Sequence, residues 1–500
     1  MKLQKSLLSI LGLATLSAQA KNEKPNILFV FVDDLGYADV GFNGSTFYET
    51  PNIDAMAKES LVFKYSYMYP TSSPSRTALI TGQQSFRTGV YNVPVLEKGN
   101  NQSSIFSRWS IGKQFPFYSE QLAKVGYKNV HLGKWHLVGP YPEREEKANF
   151  KFNKKLTQPK PGDHSWVSTH KSKHIAETYY PEGRGFVKNV GGTYRGDPAL
   201  AEGGYDCVGG GYKAPFPNPY IEAKDSDEWL TDRLTDEAIE FMDANKKEPF
   251  FINLHYYTVH RPVIARSEEL KQKYMQKKGD PVLGQGMEQG KDREDVAAYA
   301  TMIENLDYNF ARLVKYLKDN KLYDNTVIVF SSDNGYNVGS NKLLRGRKQQ
   351  VYEGGVRVPT FIHHPKMIKP RVSETAISVL DYFPTFIELA GIKDYQGTLD
   401  GNSLVPMFKK EDKALATRPI FWQLSSMGRH GTCTAMRFGD YKVIEFLATG
   451  KLEVYDLSKD AAEKVNLALS DEALAVRMRD MLSSWRQEND VPLPLNSVVK

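Results

Sequence analysis

The chain has 500 residues, of which 41% are hydrophobic and 25% are charged. This is ordinary globular composition, which excludes a disordered or fibrous chain, and the length allows more than one domain. The formal net charge is +6 and the basic residues form no long run. A nucleic-acid partner is therefore not indicated, whereas an anionic substrate would suit the sign of the charge.

The first twenty residues, MKLQKSLLSILGLATLSAQA, have the pattern of a secretory signal peptide. Lys2 and Lys5 precede an apolar run over residues 7–16, and an A-x-A cleavage site ends at Ala20. The run is too short to span a bilayer and no later segment reaches that length, so we do not expect an integral membrane protein. Residues 1–20 are predicted to be removed on export to the periplasm or, alternatively, on secretion.

Five short apolar runs recur along the chain, with helical patterns between them: residues 26–32, 129–132, 249–257, 326–330 and 358–362. Their apolarity is continuous rather than alternating. Such runs indicate strands that are buried on both faces, as in a parallel sheet covered by helices. We therefore predict an α/β fold with a large, mixed but mostly parallel sheet sandwiched by helices.

Apolar residues at helical spacing predict the helices that cover this sheet. Over residues 294–321 a stripe of large apolar side chains lines one helix face. Residues 117–127, 230–247 and 376–392 are also predicted to be helical. We interpret these stripes as core contacts rather than cofactor contacts.

The regular pattern breaks down between about residues 140 and 228. Ten glycines fall between Gly183 and Gly211, among tyrosines, prolines and charged residues. We predict long, packed surface loops, in preference to a disordered insert, within a catalytic domain over residues 21–415.

A second, smaller α+β domain is predicted over residues 416–500. Short strand-like runs separated by turn signals are followed by a helical pattern at residues 471–488. The strand-like runs cover residues 418–424, 433–439, 441–447 and 452–457.

The chain has two cysteines, Cys207 and Cys433, which lie far apart. Export permits a disulfide, but a large domain does not need one. We interpret both as structural residues, and their spacing does not decide whether they pair.

Acidic side chains follow two of the predicted strands. Asp33 and Asp34 come after the first run, and Asp333 and Asn334 come shortly after the run at residues 326–330. Either pair alone is more often a helix cap or an Asx turn. Because ligands of open α/β sheets bind at the carboxyl ends of strands, and neighbouring carboxylates repel, the repetition predicts a bound Ca²⁺ or Mg²⁺.

Basic side chains follow the other runs. Lys134 and His136 come after the second run, His260 after the third, and Lys348 lies in a Gly-flanked loop before the last. Each alone would be a solvated lysine or a histidine bonded to backbone. Together they would surround an anion beside a metal, as attack on a sulfate or phosphate ester requires. The remaining histidines at these strands are interpreted as structural: His131, His255, His363 and His364.

The stretch YPTSSPSRTALITG, residues 69–82, has the Ser and Pro placement of a helix start. It resembles the signature of the type I, formylglycine-dependent sulfatases of the alkaline phosphatase superfamily, in which Cys or Ser is followed by any residue, Pro, Ser, Arg and a helical stretch ending in Thr-Gly. Other segments are similar to that family's blocks in the same order: KPNILFVFVDDLGYADVG, TPNIDAMAKESLVF, GKWHLVG, SSDNG, YEGGVRVP and YDLSKDAAEKVNLA. The resemblance covers nearly the whole mature chain and implies the alkaline phosphatase-like fold.

The resemblance also implies that Ser72 is oxidised to Cα-formylglycine (3-oxoalanine). A serine at this position is similar to the bacterial type, which a radical-SAM maturase modifies as a transient partner. The hydrated aldehyde carries two hydroxyl groups. One attacks sulfur and displaces the alcohol, and the other then loses a proton and expels sulfate.

The family's residue roles carry over by position as implications of the resemblance. One Ca²⁺ ion would be bound by Asp33, Asp34, Ser72, Asp333 and Asn334. Asp333 would be the base for the attacking hydroxyl.

The basic residues receive their roles in the same way. Arg76 and Lys134 would hold the formylglycine and its charge, and His136 would take a proton during sulfate release. Lys348 and His260 would grip the sulfate oxygens. His260 would protonate the leaving alcohol, because its unperturbed pKa is nearest neutrality.

Relatives of this type desulfate saccharides cut from ulvan, carrageenan, fucoidan or glycosaminoglycans, which implies a sulfated oligosaccharide or polysaccharide substrate. Sugar contacts are expected from residues 140–228 and from Arg429 and His430, for which a solvated turn is the equal alternative. Two other functions stay open. One is phosphodiester or phosphonate hydrolysis with unmodified Ser72, and the other is glycan binding without catalysis.

Overall fold

The computed structural model describes most of the chain. The described residues are 24–93, 105, 107–139, 176–198, 208–218, 220–278, 293–339, 343–410, 413–425 and 430–499. The predicted signal peptide, the first part of the loop-rich insert, Cys207 and Arg429 lie outside them.

The strands of the described part are, in chain order, β1 Asn26–Val32, β2 Leu61–Phe63, β3 Ser66–Tyr67, β4 Lys128–Gly133, β5 Lys188–Val190, β6 Phe250–His255, β7 Thr326–Ser332, β8 Phe361–His363, β9 Arg371–Ser373, β10 Ile377–Ser378, β11 Ile420–Leu424, β12 Cys433–Phe438, β13 Tyr441–Phe446 and β14 Leu452–Asp456. The α-helices there are α1 Pro51–Lys58, α2 Ser72–Thr81, α3 Ser85–Thr88, α4 Tyr118–Lys124, α5 Leu230–Ala244, α6 Glu268–Gln276, α7 Arg293–Asp319, α8 Glu353–Val356, α9 Tyr382–Leu389, α10 Lys413–Ala416 and α11 Glu472–Glu488.

The large sheet has eight strands in the order β5-β4-β6-β1-β7-β8-β2-β9. Strand β1 lies near the centre and pairs in parallel with both β6 and β7. Strand β8 is antiparallel to its neighbours β7 and β2. The predicted α/β fold with a mixed, mostly parallel sheet is confirmed.

Helices cover both faces of this sheet because alternate side chains of each strand point to opposite faces. On one face, Phe29 of β1 packs against Tyr382 and Phe386 of α9, with ring centroids 5.4 and 5.5 Å away. On the other face, Leu28 belongs to the core that contains Phe310 of α7. Every residue of β1 is buried, which explains its continuous apolar sequence.

The C-terminal part forms a four-stranded antiparallel sheet in the order β11-β12-β13-β14. Helix α11 packs on it, and its Met478 and Leu482 share a core with Val443 and Val454. The predicted C-terminal α+β fold is confirmed. The predicted boundary after residue 415 falls inside the short helix α10, directly before β11.

Two predicted elements begin later than the sequence indicates. The run at residues 358–362 becomes strand only from Phe361, because Val358 donates its N–H to the Ser66 carbonyl at 3.0 Å instead. The helix predicted over residues 376–392 begins at Tyr382. Before it, β10 pairs in parallel with β3. Both differences come from tertiary pairing with β3, which local periodicity does not report.

The described part of the loop-rich insert is packed. Tyr180, Tyr194, Tyr212 and Phe216 are all buried there. Among the described residues, no helix is both long and apolar enough to cross a bilayer.

Cys433 is free and buried in β12. Burial raises the pKa of the Cys433 thiol well above its usual range. The thiol is therefore unreactive, in agreement with a structural role for this cysteine.

Candidate active site

Ser72 is the first residue of helix α2 and is almost completely buried. Thr71 before it is extended, with φ −147° and ψ 158°. Arg76, one turn along the helix, donates from Nε to the Ser72 Oγ at 2.9 Å. The Nδ1 of His136 lies 3.5 Å from the same oxygen. The predicted helix start is confirmed, and its first hydroxyl lies between a guanidinium and an imidazole.

The four predicted metal-binding side chains of the strand ends lie next to one another. Because β1 and β7 are parallel neighbours, the residues that follow them meet at one edge of the sheet. The Asp34 N–H donates to Asp333 Oδ1 at 3.2 Å, and Asn334 Nδ2 donates to Asp34 Oδ1 at 2.7 Å. Together with Asp33, these residues are completely buried.

Arg76 connects the serine to this acidic group. Its Nη2 donates to Asp333 Oδ2 at 3.0 Å, and its Nη1 donates to the Lys134 carbonyl at 3.0 Å. The same Nη1 lies 2.9 Å from His255 Nδ1. Since a guanidinium only donates, His255 accepts through Nδ1 and carries its proton on Nε2.

His255 was interpreted from the sequence as structural, and the structure shows which residue it supports. It ends β6, at the same edge of the sheet as the acidic residues, and directly holds Arg76. Its position at a strand end was the signal that would have identified it.

The two lysines pair with the two aspartates that follow β1. Lys134 Nζ lies 2.6 Å from Asp33 Oδ2, and Lys348 Nζ lies 2.6 Å from Asp34 Oδ1. Lys134 is completely buried, whereas the Lys348 side chain is 11% exposed. Lys348 therefore lies where the buried group meets solvent.

The carboxylates of this site differ in their proton affinity. Burial and the nearby Asp333 raise the pKa of Asp33 well above its ordinary value. Burial alone would also raise the pKa of Asp34, but Lys348 and His260 hold it lower. Burial opposes ionisation of Asp333 too, yet Arg76 and other cations keep its pKa well below the usual range. Asp333 is therefore the carboxylate best held in its ionised form.

Both predicted catalytic histidines are neutral in this environment. Burial, together with Lys134 and Arg76, lowers the pKa of His136 well below its ordinary value. Burial and Lys348 lower the pKa of His260 to about 3. The premise that His260 acts at its unperturbed pKa is therefore wrong.

The hydrogen bonds of His260 also fix its tautomer. Its Nδ1 lies 2.7 Å from the Arg261 carbonyl, which only accepts, so Nδ1 carries the proton. Its Nε2 faces Asp34 Oδ2 at 3.8 Å. A lone pair, not a proton, therefore points into the site from neutral His260.

The acidic group fits a hard divalent cation. Three of its buried oxygens have no hydrogen-bond donor: Asp33 Oδ1, Asp34 Oδ2 and Asn334 Oδ1. Single buried acceptors without a donor also occur elsewhere, as at Asn129 Oδ1, but here three lie on neighbouring side chains. Oxygen atoms are the ligands that Ca²⁺ and Mg²⁺ prefer. Ligand atoms of Asp33, Asp34 and His260 also lie within 4.8 Å of one another. His260 was not predicted as a ligand, and its free Nε2 makes it a further candidate.

The structure brings all predicted site residues together. The contacts described above link Asp33, Asp34, Ser72, Arg76, Lys134, His136, His260, Asp333, Asn334 and Lys348. Their individual roles stay predictions.

The predicted sugar-contact segment near the C-terminal domain is described only in part, since Arg429 lies outside the described residues. His430 is buried, and its ring lies 5.1 Å from Tyr352 and 5.2 Å from Phe446, centroid to centroid. Its packing between two aromatic rings does not match the alternative of a solvated turn.

Comparisons with known proteins agree with this geometry. A sequence profile described as Sulfatase matches residues 25–392, and one described as N-sulphoglucosamine sulphohydrolase, C-terminal, matches residues 346–488. A sulfatase of Formosa agariphila is 28% identical over an alignment of 533 residues, which covers 95% of this chain and 92% of that protein. N-acetylgalactosamine-6-sulfatase of Mus musculus is 28% identical over 474 residues, covering 92% of this chain and 80% of that protein.

A solved structure is similar over almost the same length. The crystal structure of Ps i-CgsB in complex with k-i-k-neocarrahexaose has a TM-score of 0.70 and 30% identity, covering 95% of this chain and 96% of that chain. The resemblance expected from the sequence is confirmed. Since the first profile spans well over half of the chain, this protein belongs to the sulfatase family and is a sulfuric ester hydrolase.

Proposed function

We propose that this sulfatase removes sulfate from saccharides derived from sulfated polysaccharides, and that it does so through a formylglycine made from Ser72 by a radical-SAM maturase. The main support for this proposal comes from the side chains that contact Ser72. Its Oγ accepts from Arg76 and lies 3.5 Å from His136, and Arg76 in turn binds Asp333. A residue at this point has a donor, a neutral base and an ionised carboxylate around it.

A hydrated formylglycine at this position would supply one hydroxyl to attack sulfur and a second whose deprotonation releases sulfate. The Arg76 Nε–H would orient the oxygen of residue 72, as it orients the serine. A hydrogen bond from the Ser72 hydroxyl helps to lower the pKa of Asp333, after the larger effects of burial and of the nearby cations. Asp333 is therefore ionised and within reach of that hydroxyl, as a general base must be.

His136 suits the second proton transfer. Its low pKa leaves a neutral imidazole beside residue 72. Its backbone is fixed by an N–H donated to the Thr193 carbonyl at 3.0 Å. A fixed, neutral imidazole can accept the proton of a hydroxyl that lies at hydrogen-bond distance.

We further propose that the metal is one Ca²⁺ ion, held by Asp33, Asp34, Asp333, Asn334 and the oxygen of residue 72. When bound, it would polarise the sulfate and lower the pKa of the attacking hydroxyl. The three donor-less buried oxygens support this set of ligands.

Lys348 and His260 are proposed to contact the sulfate group. Burial would lower the pKa of Lys348, but Asp34 and the other carboxylates raise it, so its ammonium stays charged. A fixed cation at the solvent side of the site favours a bound anion. His260 protonates the leaving alcohol in this proposal, and it must acquire a second proton to do so because neutral His260 presents a lone pair.

A saccharide substrate is supported by two relatives. Ps i-CgsB was solved with a neocarrahexaose, and the mouse relative is named an N-acetylgalactosamine-6-sulfatase. Neither fixes the sugar or the sulfate position for this chain.

We propose that the protein acts in the periplasm, with secretion as the alternative. The support is the predicted signal peptide of residues 1–20. Fractionation of cells that make the full chain would test it, and a cytoplasmic protein with residues 1–20 still attached would refute it.

The function is tested with protein matured in cells that contain a serine-type maturase. Defined sulfated oligosaccharides and a phosphodiester are offered, and released sulfate and phosphate are measured. We expect sulfate from at least one saccharide and at least a 10⁴-fold loss, as a rough estimate, in Ser72→Ala.

Ser73→Ala is the matched control. It removes only a hydroxyl that donates to the His136 carbonyl at 2.9 Å, and we expect less than about tenfold loss. Turnover of the phosphodiester without any sulfate release would contradict the proposal.

A further inference from the structure

The loop that carries Lys348 is held in place from two sides. On the active-site side, Lys348 N–H donates to the Tyr336 carbonyl at 3.0 Å, and Gln349 N–H donates to the Pro70 carbonyl at 2.7 Å. The two ends of the loop meet where Gly354 N–H donates to the Arg345 carbonyl at 2.7 Å. Residues 345–354 are named the Lys348 loop from here on.

Glu463 contacts both ends of this loop from the C-terminal domain. Its Oε2 accepts from the Glu353 N–H at 2.7 Å. Its backbone carbonyl accepts from Arg345 Nη1 at 3.0 Å. Glu463 lies beyond β14, within the segment YDLSKDAAEKVNLA, to which the catalytic scheme gives no role.

The Glu463 side chain is itself fixed. It is completely buried, and Lys442 Nζ lies 3.1 Å from both Glu463 Oε1 and Glu353 Oε1. The backbone of Glu463 has φ +51°, a left-handed conformation that non-glycine residues adopt at some cost. Its N–H is bonded to the Asp460 carbonyl at 3.0 Å. A buried carboxylate with an ammonium partner and a bonded backbone is a rigid anchor.

We propose that Glu463 is a positioning residue for Lys348. By holding Arg345 and Glu353, it keeps the Lys348 ammonium at the mouth of the active site, although it contacts no reacting atom. The inference rests on the proposed function, because it assumes that Lys348 contacts the sulfate. The C-terminal domain thereby takes part in desulfation through a single loop of the catalytic domain.

If Glu463 positions Lys348, its removal has a different effect on activity than if it only stabilises the folded protein. If Glu463 acts only through Lys348, its removal matters only while Lys348 is present. A double-mutant cycle measures this directly, since residues that act as one unit are not additive. Misplacement by about 1 Å costs on the order of 100-fold in rate.

The experiment measures kcat/KM for one sulfate ester, normalised to formylglycine content. We expect Glu463→Ala to lower it about 10- to 100-fold in the wild-type background, and to have no further effect in Lys348→Ala. Glu463→Gln keeps an oxygen that accepts from Glu353 N–H, so it should retain most of the activity.

Arg345→Gln is the second variant, in case Glu463→Ala fails to fold. It removes the bond to the Glu463 carbonyl without disturbing Lys442, and it should show the same dependence on Lys348. Equal losses in both backgrounds, for either variant, would overturn the positioning role.

Glu445→Gln is the matched control in the same domain. Glu445 is a buried carboxylate 2.8 Å from Arg486 Nη2, and none of its described bonds reaches the Lys348 loop. It should lower the unfolding temperature and leave kcat/KM unchanged. If Ser72 proves unmodified or no sulfate is released, the proposed function fails, whereas additive losses in an active sulfatase refute only the role of Glu463.

Discussion

This protein has two buried clusters of charged and polar side chains, and they differ in how completely their oxygen atoms are paired. The active-site cluster consists of Asp33, Asp34, Asp333 and Asn334 with Arg76, Lys134 and Lys348, and the interdomain cluster consists of Glu353, Glu463 and Lys442. In the interdomain cluster, one ammonium lies 3.1 Å from each carboxylate. In the active-site cluster, three side-chain oxygens have no hydrogen-bond donor. The interdomain cluster has one such oxygen, Glu463 Oε1, and it faces the Lys442 ammonium at 3.1 Å.

Buried oxygens without a hydrogen-bond donor distinguish the two clusters. Burying polar groups without partners costs free energy, so a cluster that serves only stability should satisfy its own atoms. Neighbouring oxygens that lack a donor within the protein are available to bind a metal ion, which indicates a functional site. Substitutions in the active-site cluster should therefore reduce activity more than stability. In the interdomain cluster, loss of the Lys442 ammonium should do the reverse, whereas Glu463 should affect activity only through Lys348.

The largest effect is expected from Asp33→Asn. Activity should fall at least 100-fold, as a rough estimate, because a charged metal ligand is lost. Burial and Asp333 raise the pKa of Asp33, which means that its charge disfavours the folded, metal-free state. The variant also removes the charged partner of buried Lys134, 2.6 Å away, and this loss opposes the gain. The unfolding temperature in chelator should therefore change far less than the activity.

Calcium provides the second readout for Asp33→Asn. It should raise the unfolding temperature of the wild type, since a ligand that binds only the folded state stabilises it, and should fail to do so for the variant. The distinction between the clusters would be wrong if the variant were much less stable in chelator, or if calcium still raised its unfolding temperature.

His260→Ala should have a large effect that depends on the leaving group. If His260 protonates the departing alcohol, kcat/KM should fall about 100-fold for a saccharide sulfate and much less for a nitrophenyl sulfate, which leaves without a proton. Equal losses for both esters would assign His260 to binding or to the metal.

Lys442→Met should change stability far more than chemistry. It leaves the Glu463 carboxylate buried without the Lys442 ammonium, while Glu353 keeps Arg357 at 3.7 Å, and the loss costs about 3–5 kcal/mol in the free energy of unfolding. Lys451→Met is the control, because its 2.7 Å pair with Glu453 has a lysine that is 62% exposed, and such pairs contribute at most about 1 kcal/mol. Similar stability losses for both variants would contradict the account of the interdomain cluster.

The smallest expected effect is a pH slope from Glu463. Burial raises its pKa from 4.5 to about 7, with Lys442, Glu353 and Arg345 as the charged groups that face it. Between these values the folded state binds more protons than the unfolded state at this group. The free energy of unfolding should therefore fall as the pH rises from 4.5 to 7, by up to about 1.4 kcal/mol per pH unit.

Glu463→Gln removes the titrating carboxyl and should remove its contribution to the pH dependence of the free energy of unfolding. The measurement is the denaturant midpoint of both proteins over that pH range. Parallel curves would show that Glu463 does not titrate there.

Local sequence was sufficient for most of the site because each predicted residue follows a buried strand or begins a helix. Asp33, Asp34, Asp333 and Asn334 were predicted in this way, and the parallel pairing of β1 with β7 brings them together. Their adjacency follows from sheet topology, which continuous apolar runs predict.

Local sequence could not identify contacts made across the fold. The strand-end position places His255 at the site's edge of the sheet, but only the fold shows its contact with Arg76, 179 residues away in sequence. Glu463 reaches Arg345 over 118 residues, and only a family resemblance marked its segment. The pKa of His260 also depends on contacts that local sequence does not show, since burial and Lys348 lower it to about 3.

Formylglycine at residue 72 is tested by the mass of the peptide that contains this residue. It is measured on preparations of graded maturation, together with their rate of sulfate release. We expect a peptide lighter than the serine form by one hydrogen molecule, in a fraction proportional to the rate. Full sulfate release from protein that carries only unmodified Ser72 would contradict it.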